Sequence, residues 1–174
     1  MLANRGETSR TGRLRRASVR GQGLVEVVAV LICVVPVVLL VIDAGMIAIG
    51  AGINDSACRD AARAAASGPP SVLEKGQRLV GSGKAPHDRA ISVVKRIYAT
   101  NLPMKLQDKI ETIETVLDVP AQPAGGAVDG QVSVKTTIDI FPPFLAGAII
   151  GPKGISLKST HIVPITYVVP SQAP

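Results

Sequence analysis

Between Glu26 and Asp43 the chain carries sixteen residues without a single charge, Val27 to Ile42, and this run restricts the fold more than any other feature. Counted as helix from Gln22, the stretch is 21 residues long, about 31 Å at 1.5 Å per residue, which matches a bilayer hydrocarbon core of about 30 Å. The composition agrees. Hydrophobic residues make up 47% of the sequence and aromatics only 2%, with no Trp, so the apolar material is Val, Ile, Leu and Ala, which suits a membrane helix and a modest core. The expected class is α+β: a long N-terminal membrane-spanning helix, then short helices and a small antiparallel sheet.

The formal charge of +6 does not indicate nucleic-acid binding. Arg5, Arg10, Arg13, Arg15, Arg16 and Arg20 all precede the apolar run, with Glu7 as the one acid among them, so the leader accounts for +5 and the rest of the chain for +1. Basic residues before an apolar segment set orientation by the positive-inside rule, which places the N-terminus in the cytoplasm and everything after the span outside it. The chain is expected to cross the membrane once.

Glu26 is then a carboxylate inside the near leaflet, at a cost of up to about 3 kcal/mol unless offset. One reading has it reach back to the headgroups. The other begins at Gly21. In Arg20-Gly21-Gln22-Gly23-Leu24-Val25-Glu26, cleavage after Gly21 makes Gln22 the new N-terminus and Glu26 its fifth residue, directly before the apolar run. This arrangement resembles the type IV prepilin processing signal, cut by a prepilin peptidase. The resemblance implies that Glu26 neutralises the terminal amine of a neighbouring subunit, and a buried carboxylate is tolerable when paired in this way. With Ile42-Asp43-Ala44-Gly45 closing the run, the segment looks like the N-terminal signature of the TadE-like family of the tight-adherence pilus system. Val27 follows Glu26, where the major pilin of that system has Tyr, and about 130 residues follow the span, which matches the minor, pseudopilin branch. The resemblance covers residues 20 to 45. It implies a bacterial inner-membrane location and a cell-surface pilus or secretion role, with the prepilin peptidase, other pilins, pilus assembly proteins and membrane lipid as partners.

Asp43 is expected at the far membrane interface, and Pro36, which removes one backbone hydrogen bond, is expected to kink or loosen the helix. The helix should continue to residue 66, supported by the i,i+4 pair Asp55 and Arg59 and the Ala-rich stretch 60–66, and Gly68-Pro69-Pro70 should stop it. Gly45, Gly50 and Gly52 read either as a smooth surface for another helix or as flexible points. Three regions result: a leader over 1–21, the span with its extension over 22–67, and an extracytoplasmic α+β domain over 68–174.

Within that domain, Ser71-Val72-Leu73-Glu74 reads as a capping box opening a short helix that Gly81-Ser82-Gly83 ends. Ala90, Val93, Val94, Ile97 and Tyr98 give a second helix one apolar face. Strict alternation from Val132 to Ile140 marks the clearest strand, and Ile113, Thr115, Leu117 and Val119 mark another. A third begins at Ile155 and Leu157. A fourth spans Val163 to Val169, where Pro164 implies an edge or a break. Residues 120–130 read as a hairpin loop. The apolar Phe141 to Ile150 either covers the sheet or meets a partner.

The residues offer no chemistry. His87 and His161 lack a companion at metal-ligand spacing, and no nucleotide-binding loop, nucleophile elbow or base-stacking aromatic set is present. No catalytic residue, metal or cofactor is assigned; the one reaction expected is the cleavage performed on the chain. Cys33 and Cys58 cannot pair along one helix, being about 37 Å apart, which leaves Cys33 as an ordinary small apolar residue and Cys58 as a free thiol or an intermolecular partner. The competing functional reading is a single-pass membrane-anchored domain, or one released by cleavage near Ala48-Ile49-Gly50, that binds a ligand or partner and has no connection with pili.

Overall fold

The structure, a computed structural model, describes residues 14–99, 104–107, 109–121 and 123–172, with side chains from Gly23 onward. The chain divides into two compact units, Met1–Ile42 and Asp43–Pro174. Leu14 to Ala66 form one α-helix, α1, with Pro36 inside it. In the first unit this helix supplies all the described structure. Its side chains from Leu24 to Val38 are exposed, and it is long and apolar enough to cross a membrane.

The second unit is an α+β fold. After α1 come β1 (Leu79–Gly81), α2 (Lys84–Tyr98), β2 (Met104–Leu106), β3 (Glu111–Asp118), β4 (Gly126–Ala127), β5 (Asp129–Ile140), α3 (Leu145–Ile150), β6 (Ile155–Pro164) and β7 (Val168–Val169). The twelve-residue β5 organises the main sheet. Along one edge it pairs with β6; along the other it pairs with β3 and then, further on, with β2. β1 extends the sheet beyond β3, every pairing is antiparallel, and β4 and β7 form a separate two-stranded ribbon.

β5 has the alternation its sequence announces. Val132, Val134, Thr136, Ile138 and Ile140 are buried on one face, and α1 and α2 cover that face. The covering surface of α1 repeats every three or four residues: Asp43, Gly50, Asn54, Ala57, Cys58, Ala61, Ala62, Ala65 and Ala66 are buried. Small side chains along this stripe let the helix lie close to the strands. Gly50 is one such point of contact, since a Cβ there would collide with Cδ1 of Ile140; Gly45 and Gly52 face open space. The Ala-rich stretch that reads in sequence as helix propensity is therefore also the helix's core face. α2 adds Ala90 and Val94, at the spacing its apolar periodicity requires.

The end of α1 is fully capped. Its last four carbonyls, which have no partner within the helix, accept from elsewhere: Arg63 from the Ser67 amide, Ala64 from Arg89 Nε, Ala65 from Arg89 Nη2, and Ala66 from the Thr166 amide. Gly68 leaves room for this guanidinium, for a Cβ there would lie 2.7 Å from Arg89 Cζ. The glycine both breaks the helix and admits its cap.

Three sequence expectations are corrected. Residues 71–83 form no helix. The Ser71 amide donates to the Glu114 carboxylate, Gly76 turns the chain at φ +75°, and β1 pairs with β3, so long-range pairing replaces a local capping signal that had little apolar face behind it. The fourth strand breaks at Pro164, one of the two outcomes the proline implies, but it does not start at Val163: Val163 and Pro164 end β6, the Ile165 amide donates to Gly130, and only Val168 and Val169 pair again, with β4. Residues 120–130 are accordingly more than a hairpin loop, because β4 lies within them. Pro164 stands at the end of an edge strand, where the missing N–H breaks no ladder.

β3 shows why alternation alone does not assign a face. Ile113 and Leu117 lie on the open face, while Thr112, Glu114 and Val116 face the helices. The register shifts between Val116 and Asp118, and this bulge returns Val119 to the core.

Candidate functional site

The residues that the sequence singles out lie along α1. Gly21 and Gln22 fall within its helical backbone, outside the part whose side chains are described. Glu26 stands one turn further on, exposed, among the exposed Leu24, Val25, Val27 and Val28. No charged or hydroxyl partner meets it among the residues whose side chains are described. Pro36 is accommodated within the helix, which continues on both sides of it. Cys33 is exposed on the same apolar segment.

Asp43 begins the second unit. It is only 1% exposed, and its carboxylate accepts the backbone amides of Phe144 at 3.1 Å and Ala146 at 2.7 Å. It thus fastens the apolar segment between β5 and β6 to the residue that ends the uncharged run. Sequence reasoning assigns Asp43 an interfacial position but not this bond, whose partners are separated by 101 and 103 residues.

Further along the helix, Asn54 forms a buried polar junction. Its Oδ1 accepts from Thr136 Oγ1 at 2.8 Å and from Tyr98 OH at 3.3 Å, and its Nδ2 donates to the Leu157 carbonyl. Burial pushes the Tyr98 hydroxyl up to about 12, so it stays a donor through the physiological range. Cys58 is fully buried, with its thiol directed to the carbonyls of Val134 at 3.2 Å and Ser159 at 3.4 Å. Of the two roles open to this thiol, the intermolecular one is excluded in the folded unit.

The most concentrated set of polar groups surrounds Asp55. Arg59 Nη2 lies 2.7 Å from Oδ2, in the i,i+4 pair expected, while Ser159 Oγ and His161 Nε2 both meet Oδ1, at 3.0 and 2.8 Å. Aspartate, histidine and serine together suggest a nucleophile relay, but the geometry is different. Serine and histidine converge on the carboxylate rather than on each other, so the histidine is not placed to take the serine's proton. The cluster ties α1 to β6.

Across the sheet, on β3, Glu114 is wholly buried and accepts the Ser71 amide. Burial lowers the Arg89 guanidinium's pKa from its ordinary value, and the charge of Glu114 opposes this. His87 Nδ1 pairs with Thr112 Oγ1 at 3.1 Å. On the open face, Lys135 donates to Glu111 at 3.0 Å and holds that carboxyl below its ordinary value. No group of three or more His, Cys, Asp or Glu among the described residues is placed to hold a metal ion.

The site features are therefore of two kinds: an exposed apolar helix surface that carries one carboxylate, and a folded unit in which Asp43, Asn54, Asp55 and Cys58 of α1 bond to the strands and their connections. No protein-family model, no curated protein and no solved structure matches the chain.

Proposed function

We propose that this chain is a pilin-like subunit, a minor pilin or pseudopilin of a tight-adherence type of pilus or secretion system, cut after Gly21 by a prepilin peptidase and assembled through the apolar segment of α1. The observation that carries the proposal is the placement of Glu26. It stands five residues beyond Gly21 at the head of an apolar helix with no charge before Asp43, and that helix leads into an α+β unit. An amine at Gln22 of one copy near Glu26 of the next converts two costly buried charges into a pair, which fixes the stagger between helices as well as permitting burial. The remaining assembly energy comes from packing of Val, Leu and Ile side chains, and the outer unit is left to contact other pilus components.

The structure weighs against release by cleavage near Ala48-Ile49-Gly50. Such a cut would remove Asp43, Met46 and Ile47 from the folded unit and divide the helix beside Gly50, which packs on Ile140. An uncleaved anchor carrying a binding domain is the reading that competes with the pilin assignment.

Mass-spectrometric sequencing of the N-terminus, on protein from membranes of a host that makes the matching peptidase, separates them. A start at Gln22 supports the pilin class. An intact leader on protein that has reached the membrane withdraws it and leaves the anchor.

A further inference from the structure

Phe141-Pro142-Pro143-Phe144 and α3 form the most apolar connection in the second unit, and their exposure is unusual. Ile149 is 81% exposed and Phe144 41%, with Ile150 and Ala148 also open. From 141 to 155 the sequence contains one charged residue, Lys153, and no acid. A second cation borders the segment, because Lys105 Nζ stands 5.6 Å from the Phe141 ring centroid.

The segment is also held in shape. Gly147 lies so close to the Pro142 carbonyl that no Cβ fits, Ala148 donates to Phe144, and Gly151 donates to Gly147. Its position is fixed by Asp43, whose carboxylate holds the amides of Phe144 and Ala146. Asp43 follows Ile42, the last residue of the uncharged run. Hydrogen bonds of ordinary length therefore keep the start of α3 beside Asp43, the first residue after the uncharged run, and α3 itself is only about 9 Å long.

We propose that Phe141–Ile150 is a second, non-spanning membrane contact: it seats Phe144, Ile149 and Ile150 in the headgroup and upper acyl layer of the leaflet where α1 emerges, with Lys105 and Lys153 towards anionic headgroups. This rests on the membrane-anchored reading of α1. The occupant is lipid because a bilayer that accepts α1 up to Ile42 necessarily presents its interface at Asp43, and interfacial segments combine exposed apolar side chains with flanking cations. A second copy of the chain is not needed to bring this surface to the segment.

The full chain, with Cys33→Ala and the buried Cys58 kept, is reconstituted at low protein-to-lipid ratio in phosphatidylcholine and phosphatidylglycerol vesicles. An environment-sensitive fluorophore is attached through Ile149→Cys, Val38→Cys or Val80→Cys in turn, and quenching by lipids brominated on the upper acyl chain is measured. Val80 is the control within the second unit: it is 78% exposed and, through Thr115, aligns with Gln131, nine residues along β5 from Ile140 and so about 30 Å away. The proposal requires bromolipid to reduce emission at 38 and 149 but not at 80, with a blue shift at 149. Quenching at 38 with position 149 behaving like 80 overturns it while leaving the anchor intact. Absence of quenching at 38 as well removes the anchored reading and the proposal with it. Quenching or blue shift at 149 that appears only when the protein-to-lipid ratio is raised assigns the surface to a second copy and also overturns it.

Discussion

Replacing Ala61 by Leu tests the packing of α1 on the sheet directly. Ala61 is fully buried within the cluster that includes Cys58, Ala65, Ala90, Val94, Val132 and Val134, so three added carbons have to displace strand or α2 side chains. Overpacking of this kind costs about 1–3 kcal/mol. The folded unit from Asp43 to Pro174 holds 132 residues, and at about 2.1 cal/mol/K per residue its unfolding entropy near 60 °C is about 0.28 kcal/mol/K. The expected fall in Tm is therefore about 4–11 °C, measured by circular dichroism on the full chain in detergent micelles. Asp60→Leu, one position away on the exposed side of the helix, is the matched control and should stay within about 0.5 kcal/mol of the parent. An Ala61→Leu variant as stable as the parent, or a larger loss from the Asp60 change, would show that α1 does not present this face to the strands.

Other consequences are equally open to measurement. Asp43→Asn places an amide where two backbone N–H groups now find a carboxylate, so the amides of Phe144 and Ala146 should exchange with solvent at least about fivefold faster, with a stability loss of about 1–3 kcal/mol; unchanged protection would refute the bond. Glu26→Ala should leave cleavage after Gly21 largely intact yet impair assembly, so normal fibre formation by that variant counts against the charge pair. Cys58 should resist a thiol reagent in the native protein and react on unfolding, whereas Cys33 in short-chain detergent should not need unfolding to react. The Lys135 contact depresses the Glu111 pKa in the folded state, so its stabilisation is complete above the ordinary value of 4.5 and disappears as pH falls through the lower folded value. Lys135→Ala should move the Glu111 carboxyl upward in an NMR titration and flatten that acid limb.

The sequence alone determined what depends on local pattern and on solvent. An uncharged run of membrane length between Glu26 and Asp43, a helix stop at Gly68-Pro69-Pro70, the apolar face of α2 and the alternation of β5 are each written in consecutive residues, because period and hydration act at that range. The spacing of Gly21 and Glu26 is legible in the same way. Tertiary structure decided whatever depends on a distant partner. The fate of Ser71 was settled by Glu114, the open orientation of Ile113 and Leu117 by pairing with β5, and the burial of Asp43 by amides a hundred residues later. The small-residue stripe from Gly50 to Ala66 shows both levels at once: its alanines make helix by propensity, but only the strand surface of Val132, Val134 and Ile140 turns their small size into close packing. Register and long-range hydrogen bonds select among local options of nearly equal energy, and that selection is made by contacts that no window of sequence contains.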